Sequence, residues 1–336
     1  MPTTPDLTPL LLEPYFSPKV WGGRRLEQFG KALPEGAIGE SWELFDRLDK
    51  SAKISEGPWA GRTLGQLTAE FGPRLLGPDL WKHQPDRFPL LVKLIDAADD
   101  LSVQVHPNDE QAATMVGPEE RGKSEMWVVL AVAPGAQMAA GLKPGVDAAA
   151  FKRALTDGSV ESLLNKFDVA PGDVIDIPAG RVHAIGKGCL VAEVQQNSDT
   201  TYRVWDYGRL ENGKPRAIHI DEALRVIDFS PAMAALASKK QVQSKDLGWA
   251  SEESLVNGPF FDVRRLTVRN AGRLSLPSPV PQVLLALDGD LRLDGWGPSA
   301  MIVPQGRCAV VPACLSPTLA PVFKAVTVLW SQPKET

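Results

Sequence analysis

The chain has 336 residues, long for one domain and comfortable for two, and 43% of them are hydrophobic, enough for sizeable cores. Its 36 Lys and Arg against 41 Asp and Glu leave a mild charge of −5 with no basic run, which excludes nucleic acid and anionic membrane as expected partners. The three cysteines, Cys189, Cys308 and Cys314, form no C-x-x-C pair and read as reduced thiols of a cytoplasmic protein. No signal peptide is expected, because Met1 to Asp6 carry no basic residue and Leu10-Leu11-Leu12 is too short to span a bilayer.

Twenty-nine glycines and 29 prolines, well spread, predict many short strands joined by turns. Residues 13–60 alternate short apolar runs with Gly and Pro and are read as loops and strands. Thr63-Leu64-Gly65-Gln66 has the form of a capping box, and Leu64, Leu67, Phe71 and Leu75 follow at helical spacing, predicting a helix over 63–76. Apolar strands are predicted over 89–95 and 101–106 around the polar bend 96–100, with a helical insertion over 108–121 and a further strand over 126–132. Two helices broken at Asp157-Gly158 are expected over 147–167, then strands over 174–177, 190–195 and 201–205 and a helix over 221–227.

The Ala-, Ser-, Lys- and Gln-rich stretch 231–247 is read as a linker. It divides a catalytic unit over 1–230 from a smaller C-terminal β domain over 248–336, with strands near 260–268, 283–287, 291–293, 309–311 and 323–330. The fold class expected is mainly β. No short-period repeat is present.

The most informative stretch is Gly172-Asp173-Val174-Ile175-Asp176-Ile177-Pro178-Ala179-Gly180-Arg181-Val182-His183: a buried strand, a tight turn, then one imidazole at a fixed distance. A lone strand histidine is usually a hydrogen-bonded core residue. Here Leu101-Ser102-Val103-Gln104-Val105-His106-Pro107 supplies a partner, because Gln104 and His106, at i and i+2, share a face. Two donor-bearing strands favour a metal site.

The spacing G-x5-P-x-G-x2-H is similar to the second metal motif of the cupin β-barrels, whose first motif carries H-x-H and a nearby Glu. On that resemblance Gln104 replaces the first His, and Glu125 in Gly122-Lys123-Ser124-Glu125-Met126-Trp127 supplies the carboxylate. Asp109 and Glu110 are nearer in sequence but stand where acidic residues favour a helix N-terminus. The set suits Zn²⁺ and would accept Mn²⁺, Fe²⁺, Co²⁺ or Ni²⁺. His83, in a polar connection, is read as a surface residue, and His219, ahead of a helix, as satisfying backbone or loop groups. These are the only four histidines, so a second imidazole site in the C-terminal domain is excluded.

Between Trp21 and Ile227 the chain resembles the type I, zinc-dependent phosphomannose isomerases in their short bacterial form. The resemblance rests on Trp21-Gly22-Gly23, Gly39-Glu40-Ser41-Trp42, Leu91-Val92-Lys93, Gln104-Val105-His106-Pro107, Lys123-Ser124-Glu125, Pro178 to His183, and Glu193 to Arg209. It implies two cupin-type β-barrels or sandwiches of jelly-roll form, and one zinc per chain on Gln104, His106, Glu125 and His183. It also implies a sugar-phosphate pocket lined by Lys93, Lys123, Glu193, Arg203 and Glu40, with Arg203 the residue usually called catalytic. Two departures stand out: Lys187 occupies the place of an Asn in the general cupin motif, and the large helical domain of longer relatives is missing.

Aldose–ketose interconversion needs a base beside the carbon that loses its proton and a positive group on the enediolate oxygens. Glu193 fits the first part and Arg203 the second, on strands expected to be joined as a hairpin through Gln196-Asn197-Ser198-Asp199. Lys123 is grouped with them as catalytic, while Lys93 and Glu40 are assigned to substrate binding. A lysine beside a cation needs an anion, which a phosphate would supply; pairing with Glu40, Glu43 or Glu193 is the structural alternative. Trp21, Trp42, Trp127 and Trp205 serve sugar stacking or core packing equally well and receive no role. The expected activity is interconversion of mannose 6-phosphate and fructose 6-phosphate. The alternatives are another sugar phosphate such as glucose 6-phosphate, or a non-catalytic metal-containing sugar-binding cupin. Assembly state is left open.

Overall fold

In the strand Cys189–Gln196, Leu190, Ala192 and Val194 pack into one apolar cluster while Val191 packs into another on the opposite face. A strand buried on both faces has no polar side to show, which is why this sheet reads as near-continuous apolar runs. The computed structural model describes residues 6–273, 278–297 and 299–334. This strand lies inside a six-stranded antiparallel sheet of order Tyr15–Gly23, Ile38–Leu44, Leu90–Asp96, Cys189–Gln196, Glu125–Val132 and Val174–Ile177. A five-stranded sheet, Tyr202–Trp205, Val103–Val105, His183–Ile185, Gln137–Leu142 and Leu164–Asp168, completes the first β-sandwich.

Trp21, Ile95, Leu101, Trp127, Val129, Met138, Ala140, Ile175 and Ile185 fill one end of the space between these sheets. The outer face of the five-stranded sheet is covered through Phe151 and Ala154 of the helix Ala148–Asp157 and Ala223 and Val226 of the helix Ile220–Val226. The outer face of the six-stranded sheet packs against Leu64, Leu67, Leu75 and Leu80 and against Val263, Val283, Leu285 and Leu329 of the C-terminal half, in one shared apolar cluster.

The C-terminal half pairs a seven-stranded sheet with a four-stranded one around Leu266, Leu284, Leu291, Val303 and Val328. Its edges draw in chain from outside 248–336. Leu10–Leu11 pairs with Val310 and Ala309, and Gln243–Asp246, within the stretch read as a linker, pairs with the strand Ala250–Asn257. No described helix is long and apolar enough to cross a membrane. All three cysteines are unpaired.

Two helix expectations need correction. The segment 63–76 is two helices, Leu64–Phe71 with the Thr63–Gln66 capping box formed, and Pro73–Leu76. Gly72 at φ 38° breaks them, and Pro73 has no N–H to carry the first helix onward. In 147–167 only Ala148–Asp157 is α-helical; Gly158 stops it at φ 77°, Val160–Leu163 forms a 3-10 turn, and Leu164–Asp168 is a strand. Pairing of Leu164, Lys166, Phe167 and Asp168 with the strand Gln137–Leu142 supplies hydrogen bonds that a second helix would have to forgo.

Candidate active site

Two cross-strand rows build the site, one from each sheet. Residues directly opposite in an antiparallel pair project from the same face. In the six-stranded sheet Trp42 lies opposite Lys93, Lys93 opposite Glu193, and Glu193 opposite Trp127. In the five-stranded sheet Arg203 lies opposite Gln104, and Gln104 opposite His183. The expected hairpin between Glu193 and Arg203 is therefore corrected. Residues 197–201 cross from one sheet to the other, and the two side chains line one cavity from facing sheets.

Asn197 fixes that crossing. Its fully buried amide donates to the carbonyls of Asp46 and, at 2.7 Å, Phe88. Arg47 grips the same turn, donating to Asn197 O at 2.7 Å and pairing with Glu120, which also accepts from the Ser198 hydroxyl at 2.9 Å. The reach of the turn matters chemically: the Thr200 carbonyl accepts from His106 Nδ1 at 2.9 Å, and Asp199 stands 3.6 Å from Lys93.

His106, Glu125 and His183 converge with one donor atom each, all within 4.8 Å of one another and all buried. With His106 Nδ1 donating to Thr200 O, and His183 Nδ1 donating to Arg181 O at 2.8 Å, both Nε2 atoms present lone pairs, that of His183 without a donor among the described residues and that of His106 accepting from Lys123. They face Glu125 at 3.5 and 3.3 Å. Burial holds both imidazoles in the neutral form, His183 down at about 3 and His106 well below its ordinary range, the Lys123 ammonium adding to the second effect. Acceptor facing acceptor without a shared proton is unfavourable unless a cation lies between them. Among the described residues His183 Nε2 and Glu125 Oε1 lack a hydrogen-bond donor and Glu125 Oε2 meets only the Lys123 ammonium, so this donor set fits a metal ion. Lys123 supplies positive charge at its edge, with Nζ 2.7 Å from Glu125 Oε2 and 3.0 Å from His106 Nε2.

Gly180, at φ 84°, makes the turn that delivers His183. Its N–H donates to the His106 carbonyl, tying the two histidine segments together, and a Cβ there would lie 3.0 Å from Val226 O.

The cavity beside this cluster measures about 260 Å³ and takes in Glu40, Lys93, Gln104, Lys123, Glu193 and Arg203. A larger cleft of about 650 Å³ lies where Ala139 and Ala184 turn away from His183, and it holds none of the candidate residues. Glu193 Oε2 accepts from Trp127 Nε1 at 3.0 Å, leaving Oε1 facing Lys93 at 3.6 Å. Burial, then the Glu125 carboxylate, raises the Glu193 pKa, and Lys93 pulls against that rise. Glu40 goes the other way. Burial alone would raise it, but Lys93 and Lys19 outweigh burial and hold it down at about 2. Arg203 donates from Nη1 to Ala217 O at 2.9 Å, while its buried Nε has no partner among the described residues.

Sequence reading missed Lys19, Ser102, Asp199, Thr201 and Arg216 as lining residues. Ser102, Asp199, Thr201 and Arg216 sit in turns or beside strand ends, and Lys19 in the part of Tyr15–Gly23 where the pairing slips, so no regular periodicity marks a face. Trp42 and Trp127 are fully packed, and each indole N–H holds a carboxylate, Glu40 at 2.8 Å and Glu193 at 3.0 Å. His83 is exposed, outside this cavity. His219 lines it.

Comparison with known proteins points to one family. Residues 10–133 match the family model for the catalytic domain of type I phosphomannose isomerase. The chain is 37% identical over 273 residues to the probable mannose-6-phosphate isomerase GmuF of Bacillus subtilis, covering 80% of this chain and 82% of that one. It is similar throughout to the crystal structure of mannose 6-phosphate isomerase from Bacillus subtilis, with a TM-score of 0.86 at 28% identity over 97% of this chain and 99% of that one. A zinc-bound mannose 6-phosphate isomerase shares the fold at a TM-score of 0.75 and 17% identity, over 98% of this chain and 100% of that one. Paired sandwiches, a buried His/Glu/His cluster and close relatives along most of its length lead to one conclusion: the chain belongs to the type I mannose-6-phosphate isomerases.

Proposed function

We propose that this chain is a zinc-dependent enzyme of the cytoplasm that interconverts mannose 6-phosphate and fructose 6-phosphate through an enediolate. The observation that carries the reading is the placing of Glu193 and Arg203 on facing sheets of one cavity beside the His106, Glu125 and His183 cluster. His106, His183 and Glu125 would hold the metal, with the Gln104 amide oxygen, one position along the row from His183, as fourth ligand. When bound, zinc would act as a Lewis acid and template for the sugar's oxygens.

Glu193 takes the proton from the carbon next to the carbonyl and returns it to the neighbouring carbon. Its raised pKa brings proton affinity closer to neutrality, which suits a group that must both accept and release. Trp127 holds one of its oxygens and leaves the other to act. Arg203 stabilises charge on the enediolate oxygens, because a guanidinium is permanently charged and cannot itself be the base. Lys123 sits between the metal ligands and the cavity and is placed to stabilise the same charge. Lys93 and Glu40 bind the sugar phosphate. The machinery lies within residues 1–230, and the unit over 248–336 supports it without a second site.

A coupled assay with mannose 6-phosphate, run before and after chelation and after zinc is restored, tests this reading. Activity that survives removal of all bound metal removes the metal from it, and no turnover of mannose 6-phosphate by the zinc-loaded chain removes the substrate.

A further inference from the structure

His219 has no part in the roles above, yet it lines the cavity with Gln104, Glu193 and Arg203. It stands immediately before the helix Ile220–Val226 and makes no capping bond with its side chain. Its backbone N–H donates to the Arg203 carbonyl at 2.8 Å, and its Nδ1 accepts the Arg203 N–H at 3.2 Å. The same segment holds the Arg203 guanidinium through Ala217 O. The ring is half-buried and tilted 58° against Tyr202 at a centroid distance of 6.1 Å.

An acceptor role at Nδ1 fixes the neutral ring's proton on Nε2. Among the described residues that Nε2–H has no hydrogen-bond partner. In this tautomer the ring offers a neutral N–H, which acts on a lone pair as a hydrogen-bond donor. The oxygens of an open-chain sugar phosphate are neutral acceptors of that kind, and Arg203 beside it covers the charged ones.

We propose that His219 is a substrate-contacting residue whose Nε2–H donates to a hydroxyl or carbonyl oxygen of the sugar phosphate, while its Nδ1 holds the Arg203 backbone. This rests on the isomerase reading and names a contact within the same cavity. Asn and Gln separate the two halves of the ring. An Asn amide reaches the place of Nδ1 and withdraws the donor, whereas a Gln amide reaches the place of Nε2 and withdraws the acceptor.

The test begins with wild-type, zinc-loaded protein assayed on mannose 6-phosphate, followed by His219→Asn and His219→Gln. Loss of one neutral hydrogen bond predicts that His219→Asn raises KM about three- to tenfold with kcat nearly unchanged. His219→Gln should keep KM near wild type and lower kcat, because the Arg203 N–H loses its acceptor. A second readout does not depend on the variants folding: in ¹⁵N-histidine-labelled wild type, the His219 Nε2–H signal should shift on addition of fructose 6-phosphate. With four histidines in the chain the spectrum is small enough to assign. A stationary His219 signal while the sugar binds, or a His219→Asn KM within twofold of wild type, overturns the contact while leaving the isomerase reading intact. A wild-type chain that neither binds nor turns over the sugar phosphate sinks that reading and the contact together.

Discussion

Glu193 and Arg203 face one cavity from opposite sheets of a β-sandwich, although only a short turn separates them in the chain. In the proposed isomerisation a base must reach one face of the enediolate, where the breaking C–H bond overlaps the π system, while a cation meets its oxygens, and facing sheets let Glu193 and Arg203 approach from different sides. The turn that carries the chain across also positions Thr200 against His106 and Asp199 near Lys93.

The metal cluster gives the first prediction. His106→Ala and His183→Ala should each lose bound metal and activity but keep the fold, since apolar clusters on both faces of the six-stranded sheet do not depend on the ion. Elemental analysis of the wild type should find one metal per chain. Stoichiometric metal in either variant, or two tightly held ions in the wild type, would count against the assignment.

Arg203→Ala should reduce kcat about 10²–10³-fold, with little change in KM and unchanged metal content. The reason is that an enediolate charge exists in the transition state and not in the bound sugar. A large rise in KM with kcat near wild type would make Arg203 a phosphate anchor instead.

The acid limb of the kcat/KM profile should lie above the ordinary carboxylate range, because Glu193 must be ionised to act and burial raises its pKa. Lys93 favours the ionised form, so Lys93→Met removes an opposing charge and should move the limb to higher pH. A limb that stays put, or moves to lower pH, shows that another group controls the acid side.

Glu40 makes stability pH-dependent. Its carboxyl ionises near 4.5 when unfolded and near 2 when folded, so the unfolded chain binds more protons between those values. The Glu40 contribution is whole above about pH 4.5 and fades as pH falls toward 2. Urea unfolding of Glu40→Gln should therefore show a shallower loss of stability over that window than wild type. Parallel curves would show that Lys93 and Lys19 do not stabilise the carboxylate.

Asn197→Ala strips two buried carbonyls of their donor and should cost about 1–3 kcal/mol of stability. Metal affinity should also weaken about 10–100-fold, the range for partners that orient a ligand, since the turn holding Thr200 O against His106 loosens. Competition with a chelator measures that second effect. A loss of stability with metal affinity unchanged would confine Asn197 to the fold.

The sequence determined this protein's donors and their local spacing. Gln104 and His106 at i and i+2, the Pro178-Ala179-Gly180 turn before His183, and Lys123 with Glu125 are short-range patterns, and strand geometry alone puts each pair on one face. The same holds for the Thr63–Gln66 capping box, which needs only four consecutive residues. Tertiary structure decided the rest. Whether Leu164–Asp168 is helix or strand depends on an unpaired sheet edge beside it, which no local periodicity reveals. Whether 197–201 closes a hairpin or crosses between sheets depends on Asp46, Arg47, Phe88 and Glu120, all distant in the chain. The lining residues enter the cavity from irregular backbone, Lys19 from the part of its strand where pairing slips, Arg216 and His219 from the segment between a short strand and the helix Ile220–Val226. Their placement comes from packing at long range, and a cavity exists only once two sheets have closed over it.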